Sequence, residues 1–151
     1  MFGYEIEEVL FNLPITRDIF QGVYSSNTLP NISKCLFPCA YIANTEKDID
    51  QGEHWVAFYF DKKNSSKPEY FDSYGLLPLK QNFVKFMKKP FIYSTHLIQN
   101  PFSSTCGYYS MYFIIKRCEG YTYQKIISSF TTDTTLNDTI VTKYFENLNF
   151  T

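Results

Sequence analysis

The chain has 151 residues, 44% of them hydrophobic and 19% aromatic, which excludes a disordered polymer and suits a single domain with a sizeable core. A formal charge of −1 supplies no global field for nucleic acid or an anionic membrane. The opening Met1-Phe2-Gly3-Tyr4-Glu5 lacks a secretory pattern, and no run approaches the roughly 18 apolar residues of a membrane helix, so a soluble, non-secreted monomer is expected.

Residues 1–13 predict a short amphipathic helix with Ile6, Val9, Leu10 and Leu13 on one side, stopped by Pro14. Residues 19–23 read as a short extended piece and 25–31 as a loop around Pro30. The apolar run 35–43 suits a buried strand that is bent by Pro38 or begins inside the run. A charged loop over 45–53 ends near Gly52, and 55–61 is the clearest strand pattern. A hairpin loop over 62–68 returns the chain into a strand at 69–73. Residues 79–89 predict a helix ended by Pro90, with Leu79, Phe83, Phe86 and Met87 inward. Its outward face carries Lys80, Lys85, Lys88 and Lys89, read as a solvated face rather than a nucleic-acid site. A further strand is expected over 91–98. From 107 the pattern turns helical, with Gly120 as a C-terminal cap, followed by helical patterns at 121–130 and 136–148. Strands in the middle and helices at the ends give an α+β fold.

The four cysteines are Cys35, Cys39, Cys106 and Cys118. Without a secretory pattern a disulfide framework is not expected. Cys35 and Cys39 flank Pro38 in an apolar run with no second ligand pair, which is a poor zinc pattern. Cys35, Cys39 and Cys118 are read as core thiols, and no metal or cofactor is expected.

Cys106 differs because it immediately precedes a helical pattern. Unpaired N–H groups and the positive dipole end there stabilise a thiolate. His54 stands at a loop-to-strand boundary after Gly52, where an imidazole can serve as general base. His96, inside the 91–98 pattern, reads as an ordinary histidine. Asp72 ends the strand that pairs with the one His54 begins, so a hairpin brings the carboxylate to the ring it would orient. Gln99 precedes Cys106 by seven residues, and its amide with the Cys106 N–H could form an oxyanion hole. Singly, these are a buried thiol, a strand-edge histidine, a turn aspartate and a polar glutamine. Together they are the parts of a cysteine hydrolase.

His54-Trp55, the Phe71-Asp72-Ser73-Tyr74-Gly75 run and the Gln99 to Cys106-Gly107 spacing resemble adenain, the adenovirus maturation protease, and its relatives in Polinton/Maverick elements and virophages. Further likeness lies at 20–24, 39–45 and near Tyr144-Phe145. The resemblance implies a papain-like fold with a central mixed sheet flanked by helices. It also implies catalytic His54, Asp72, Gln99 and Cys106, and polypeptide substrates cleaved at small, glycine-containing sites of virion precursors. Gly52, Glu53, Trp55 and Gly107, which flank the base and the nucleophile, are candidate substrate contacts. The expected location is the virion and the host-cell interior. Two features depart from adenain: the acid is Asp rather than Glu, and no cysteine between 73 and 105 could hold an activating peptide. The same order of residues occurs in SUMO and ubiquitin-like-protein proteases, so deconjugation is the alternative activity.

Overall fold

The computed structural model describes residues 1–32, 36–46, 54–61, 67–78, 80–88 and 90–148. Among these the element order is helix α1 (Gly3–Asn12), strands β1 (Phe20–Tyr24), β2 (Cys39–Asn44), β3 (Trp55–Phe60) and β4 (Glu69–Phe71), then helices α2 (Gln81–Met87), α3 (Cys106–Cys118), α4 (Tyr123–Ser128) and α5 (Thr134–Asn147). The strands form one sheet in the order β1-β2-β3-β4. β1 runs parallel to β2, and the other two pairings are antiparallel, so the sheet is mixed. β2 begins directly after Pro38, because a residue without an N–H cannot join the ladder.

Every residue of β2 and β3 is buried, since helices cover both faces. The side chains alternate between two cores. Ala40, Ile42, Trp55, Ala57 and Tyr59 pack with α1, α3, α4 and α5. Cys39, Tyr41, Val56, Phe58 and Phe60 pack with Phe83, Phe86 and Met87 of α2. At seven residues α2 is too short to persist alone. Burying a large apolar side chain contributes about 1.5–3 kcal/mol, against about 1 for a helix cap, so burial of those three side chains holds it.

Several expectations shift by a few residues, and one fails. Thr122 caps α4 by accepting from Lys125 N, and Asp133 caps α5 by accepting from Leu136 N, which moves both starts from where periodicity alone puts them. The strand expected over 91–98 is not a strand. Ile92 makes a single parallel bridge to Glu69 and the segment then leaves the sheet. Ile92, Tyr93 and Leu97 are exposed while Phe91 and Ile98 at its two ends pack on the core, so the segment has no continuous apolar face to bury. His96 is exposed on it, outside any strand. Instead the segment is pinned against the turn after β4. Gly75 has φ +70, and a Cβ there would lie 2.5 Å from the His96 carbonyl oxygen. Cys39 is buried as expected, whereas Cys118 is only half-buried. Cys35, Gly52, Glu53, Leu79, Lys89 and most of the 45–53 and 62–68 loops lie outside the described residues.

Candidate active site

Helix α3 is built to hold a thiol at its first residue. Ser110 Oγ donates to the Trp55 carbonyl at 3.2 Å, which ties the start of α3 to the start of β3. Tyr109 Oη donates to Asp138 Oδ1 at 2.7 Å, and Asn100 N donates to the same oxygen at 3.2 Å. Asn137 Nδ2 reaches the Ile98 carbonyl at 3.0 Å, so α5 fixes both the helix and the loop that precedes it. Thr105, at the N-cap position, makes no side-chain cap; its hydroxyl bonds Ser103 Oγ instead. The first N–H groups of α3 are therefore left for the buried sulfur of Cys106.

His54 and Asp72 meet as the hairpin geometry requires. The β3–β4 ladder ends with Ala57 opposite Phe71, so the next residue, Asp72, leaves the sheet at the end where the chain enters β3 through His54. His54 Nε2 lies 2.7 Å from Asp72 Oδ1. Asp72 is held by its own turn, in which Tyr74 N donates to Oδ1 at 2.8 Å and Gly75 N to the Asp72 carbonyl at 2.9 Å. With Nε2 committed, the remaining ring nitrogen Nδ1 is buried and has no partner in full hydrogen-bond geometry among the described residues. Cys106 is the thiol that couples to this ring. Such contacts are commonly loose before substrate binds and tighten on the reaction path.

The two groups drive each other towards the charged pair. Burial alone would lower the His54 pKa, but hydrogen bonding and charge from Asp72 and Cys106 outweigh it and raise the imidazole from 6.5 to about 9. Burial would push the Cys106 thiol up, yet His54 together with the backbone N–H groups of Trp55 and Gly107 holds it below its ordinary value. The site therefore favours a thiolate beside an imidazolium.

Gln99 is wholly buried and joins this pair through Tyr74, whose ring stacks on His54. Its Oε1 accepts from Ser73 Oγ at 2.6 Å, which turns Nε2 toward the loop before α3. Nε2 contacts the Ser103 carbonyl at 3.0 Å, Ser103 Oγ at 3.2 Å and Tyr74 Oη at 3.4 Å. Ser73 also receives Ile98 N and Gln99 N on its carbonyl, so the turn after β4 positions both the acid and the amide.

Trp55 and Gly107, two of the candidate substrate contacts, come together, with the indole buried. The indole N–H donates to the Met1 carbonyl at 3.2 Å. A Cβ at Gly107 would lie 2.7 Å from Met1 Sδ and 3.4 Å from the Trp55 ring. Tyr74, Ser73 and Ser103 were not picked out from sequence. The turn that Asp72 opens carries Tyr74 over His54, and only coordinates supply its course. Among the described residues no group of three His, Cys, Asp or Glu side chains is placed to hold a metal.

No protein-family model matches the chain. A curated protein of Acanthamoeba polyphaga mimivirus, described as "Putative thiol protease R355", is 32% identical over 102 residues, covering 60% of this chain and 33% of that protein. The chain thus spans about a third of the length of the curated relative it matches. Among solved structures, the ASFV pS273R protease is similar at 27% identity and a TM-score of 0.44, over 69% of this chain and 44% of that one.

Proposed function

We propose that this chain is a cysteine endopeptidase of the adenain type, cleaving virion or capsid precursor proteins at small, glycine-containing sites during particle maturation. The observation that carries the reading is the junction of three elements. Asp72 takes His54 Nε2 at 2.7 Å, Nδ1 is left buried and unfilled, and a thiol with a lowered pKa starts α3 beside it. Partial identity to a viral thiol protease supports the same reaction class.

The Cys106 thiolate attacks the scissile carbonyl carbon, forming a C–S bond and moving the π pair onto oxygen. That oxyanion is met by the Cys106 N–H, which as the first residue of a helix has no intrahelical acceptor, and by Gln99 Nε2. His54 Nδ1–H gives its proton to the departing amine as the C–N bond breaks, leaving a thioester. Nδ1 then takes a proton from water, whose oxygen attacks the thioester carbonyl and releases the acid and the thiolate. Asp72 keeps the ring in the tautomer and orientation that both steps use. The reaction takes place on polypeptide in the virion or the host-cell interior.

Asp72 as the acid favours one second reading, removal of SUMO or ubiquitin-like proteins by the same residues. The test offers glycine-containing precursor peptides and ubiquitin-like fusions to the parent chain and to Cys106→Ala. Precursor cleavage by the parent alone is expected. Hydrolysis by Cys106→Ala would remove Cys106 as nucleophile, and release from ubiquitin-like fusions alone would replace maturation with deconjugation.

A further inference from the structure

We propose that Tyr74 is a positioning residue for both halves of this site, seating the His54 imidazole with its ring and the Gln99 amide with its hydroxyl. The inference rests on the peptidase reading and adds a residue to it. The Tyr74 and His54 rings lie nearly parallel, with centroids 4.5 Å apart and planes 20° from each other. The electron-rich face of a phenol attracts a cation, so this stack favours imidazolium over the neutral ring. It also fixes the ring plane. With Asp72 on Nε2 and Tyr74 on one face, a rotation of the ring out of its plane would break two contacts at once.

Tyr74 is itself referenced to the acid. Its backbone N–H donates to Asp72 Oδ1, the oxygen that also takes His54 Nε2, so acid, base and stacking ring share one anchor. The hydroxyl then reaches the other half of the site, donating to the Ser103 carbonyl at 3.5 Å and accepting from Gln99 Nε2 at 3.4 Å. Both contacts are long beside the 3.0 Å bond from Nε2 to the Ser103 carbonyl. The hydroxyl therefore orients the amide with the weaker contact, the one a developing oxyanion displaces at least cost. Burial, with the charges of Cys106, Asp72 and Asp138, raises the phenol pKa, so it stays a neutral donor and acceptor while the site works.

Tyr74→Leu removes ring and hydroxyl, and Tyr74→Phe removes the hydroxyl alone. The readouts are the NMR titration of the His54 ring, which Asp72 and Cys106 face, and the kinetics of peptide hydrolysis. Tyr74→Leu should lower the His54 midpoint by roughly half a pH unit, the shift a lost cation–π contact gives, while Tyr74→Phe leaves it in place. Tyr74→Phe should lower kcat about tenfold with KM near that of the parent, because an amide no longer held in line before the reaction meets the oxyanion less well. A purely structural tyrosine would lower thermal stability and leave the His54 midpoint where it is. A parent-like midpoint in Tyr74→Leu overturns the role of the ring, and a parent-like kcat in Tyr74→Phe overturns that of the hydroxyl. The titration needs no hydrolysis, so a parent chain without peptidase activity refutes the peptidase reading while the midpoint still decides the ring's role.

Discussion

The two ends of α3 carry a cysteine each, and they are chemical opposites. Burial pushes both thiols up. At Cys106 it is overcome by His54 and by the N–H groups of Trp55 and Gly107, and the thiol ends below its ordinary value. At Cys118 the charge of Arg117 opposes burial without overcoming it, and the thiol is pushed up to about 12. The helix dipole adds to the contrast, since its positive end lies at the first turn and its negative end at the last.

Ion pairs at the two ends differ in the same way. Arg117 Nε and Nη2 meet the two Glu69 oxygens at 2.8 and 3.0 Å, the guanidinium stacks on Tyr59 at 4.3 Å, and Nη1 reaches the Tyr121 carbonyl. That end is closed by a C-terminal turn in which Gly120, at φ +100, donates to the Arg117 carbonyl and Tyr121 donates to that of Lys116. At the first turn, by contrast, a buried ring nitrogen is left without a full hydrogen bond. A buried polar atom normally costs stability unless it is paired, so one left beside a thiol agrees with the proposed peptidase reading.

Substitutions at the two ends should therefore separate stability from activity. The largest effect on folding is expected from Arg117→Ala, which strands a buried carboxylate. Such a loss costs about 3–5 kcal/mol, with the lower figure expected here because burial already raises the Glu69 pKa and lets it take up a proton. Denaturant unfolding reads this directly, and the folded fraction should alkylate Cys106 as the parent does. A loss below about 1 kcal/mol would place Arg117 among surface pairs of little energetic weight. At the other end Gln99→Ala should cut kcat by about 10²–10³, equivalent to about 2.7–4 kcal/mol of transition-state stabilisation, with a smaller change in KM. A change confined to KM would remove Gln99 from the oxyanion hole.

Most of this contrast was already readable in the residues. The apolar β3 run, the helix start next to Cys106 and the cap at Gly120 are local signals, and the structure follows them. Asp72 was placed beside His54 by hairpin logic, and the two lie in contact. What escaped depends on long-range geometry. The 91–98 segment carries strand-like residues, yet it leaves the sheet, packs against the Gly75 turn and leaves Ile92, Tyr93 and Leu97 exposed. Trp55 reads as a candidate substrate contact, but its indole is packed in the core and bonded to Met1. Tyr74 carries no signal by itself; its place over His54 follows from the fold of the turn that Asp72 opens.

Alkylation of the two α3 thiols as a function of pH, followed by mass spectrometry in the parent chain and in His54→Ala, probes the shared claim of the account most directly. In the parent, Cys106 should react at pH values where an ordinary thiol is still protonated, while Cys118, held up near 12, stays unlabelled. Peptide hydrolysis should share that acidic limb and fall as pH rises through about 9, where His54 loses the proton it must give to the leaving amine. In His54→Ala the Cys106 profile should move up to the ordinary thiol range or beyond, since burial then lacks its main opponent. Cys106 titrating as an ordinary thiol in both chains would contradict the account.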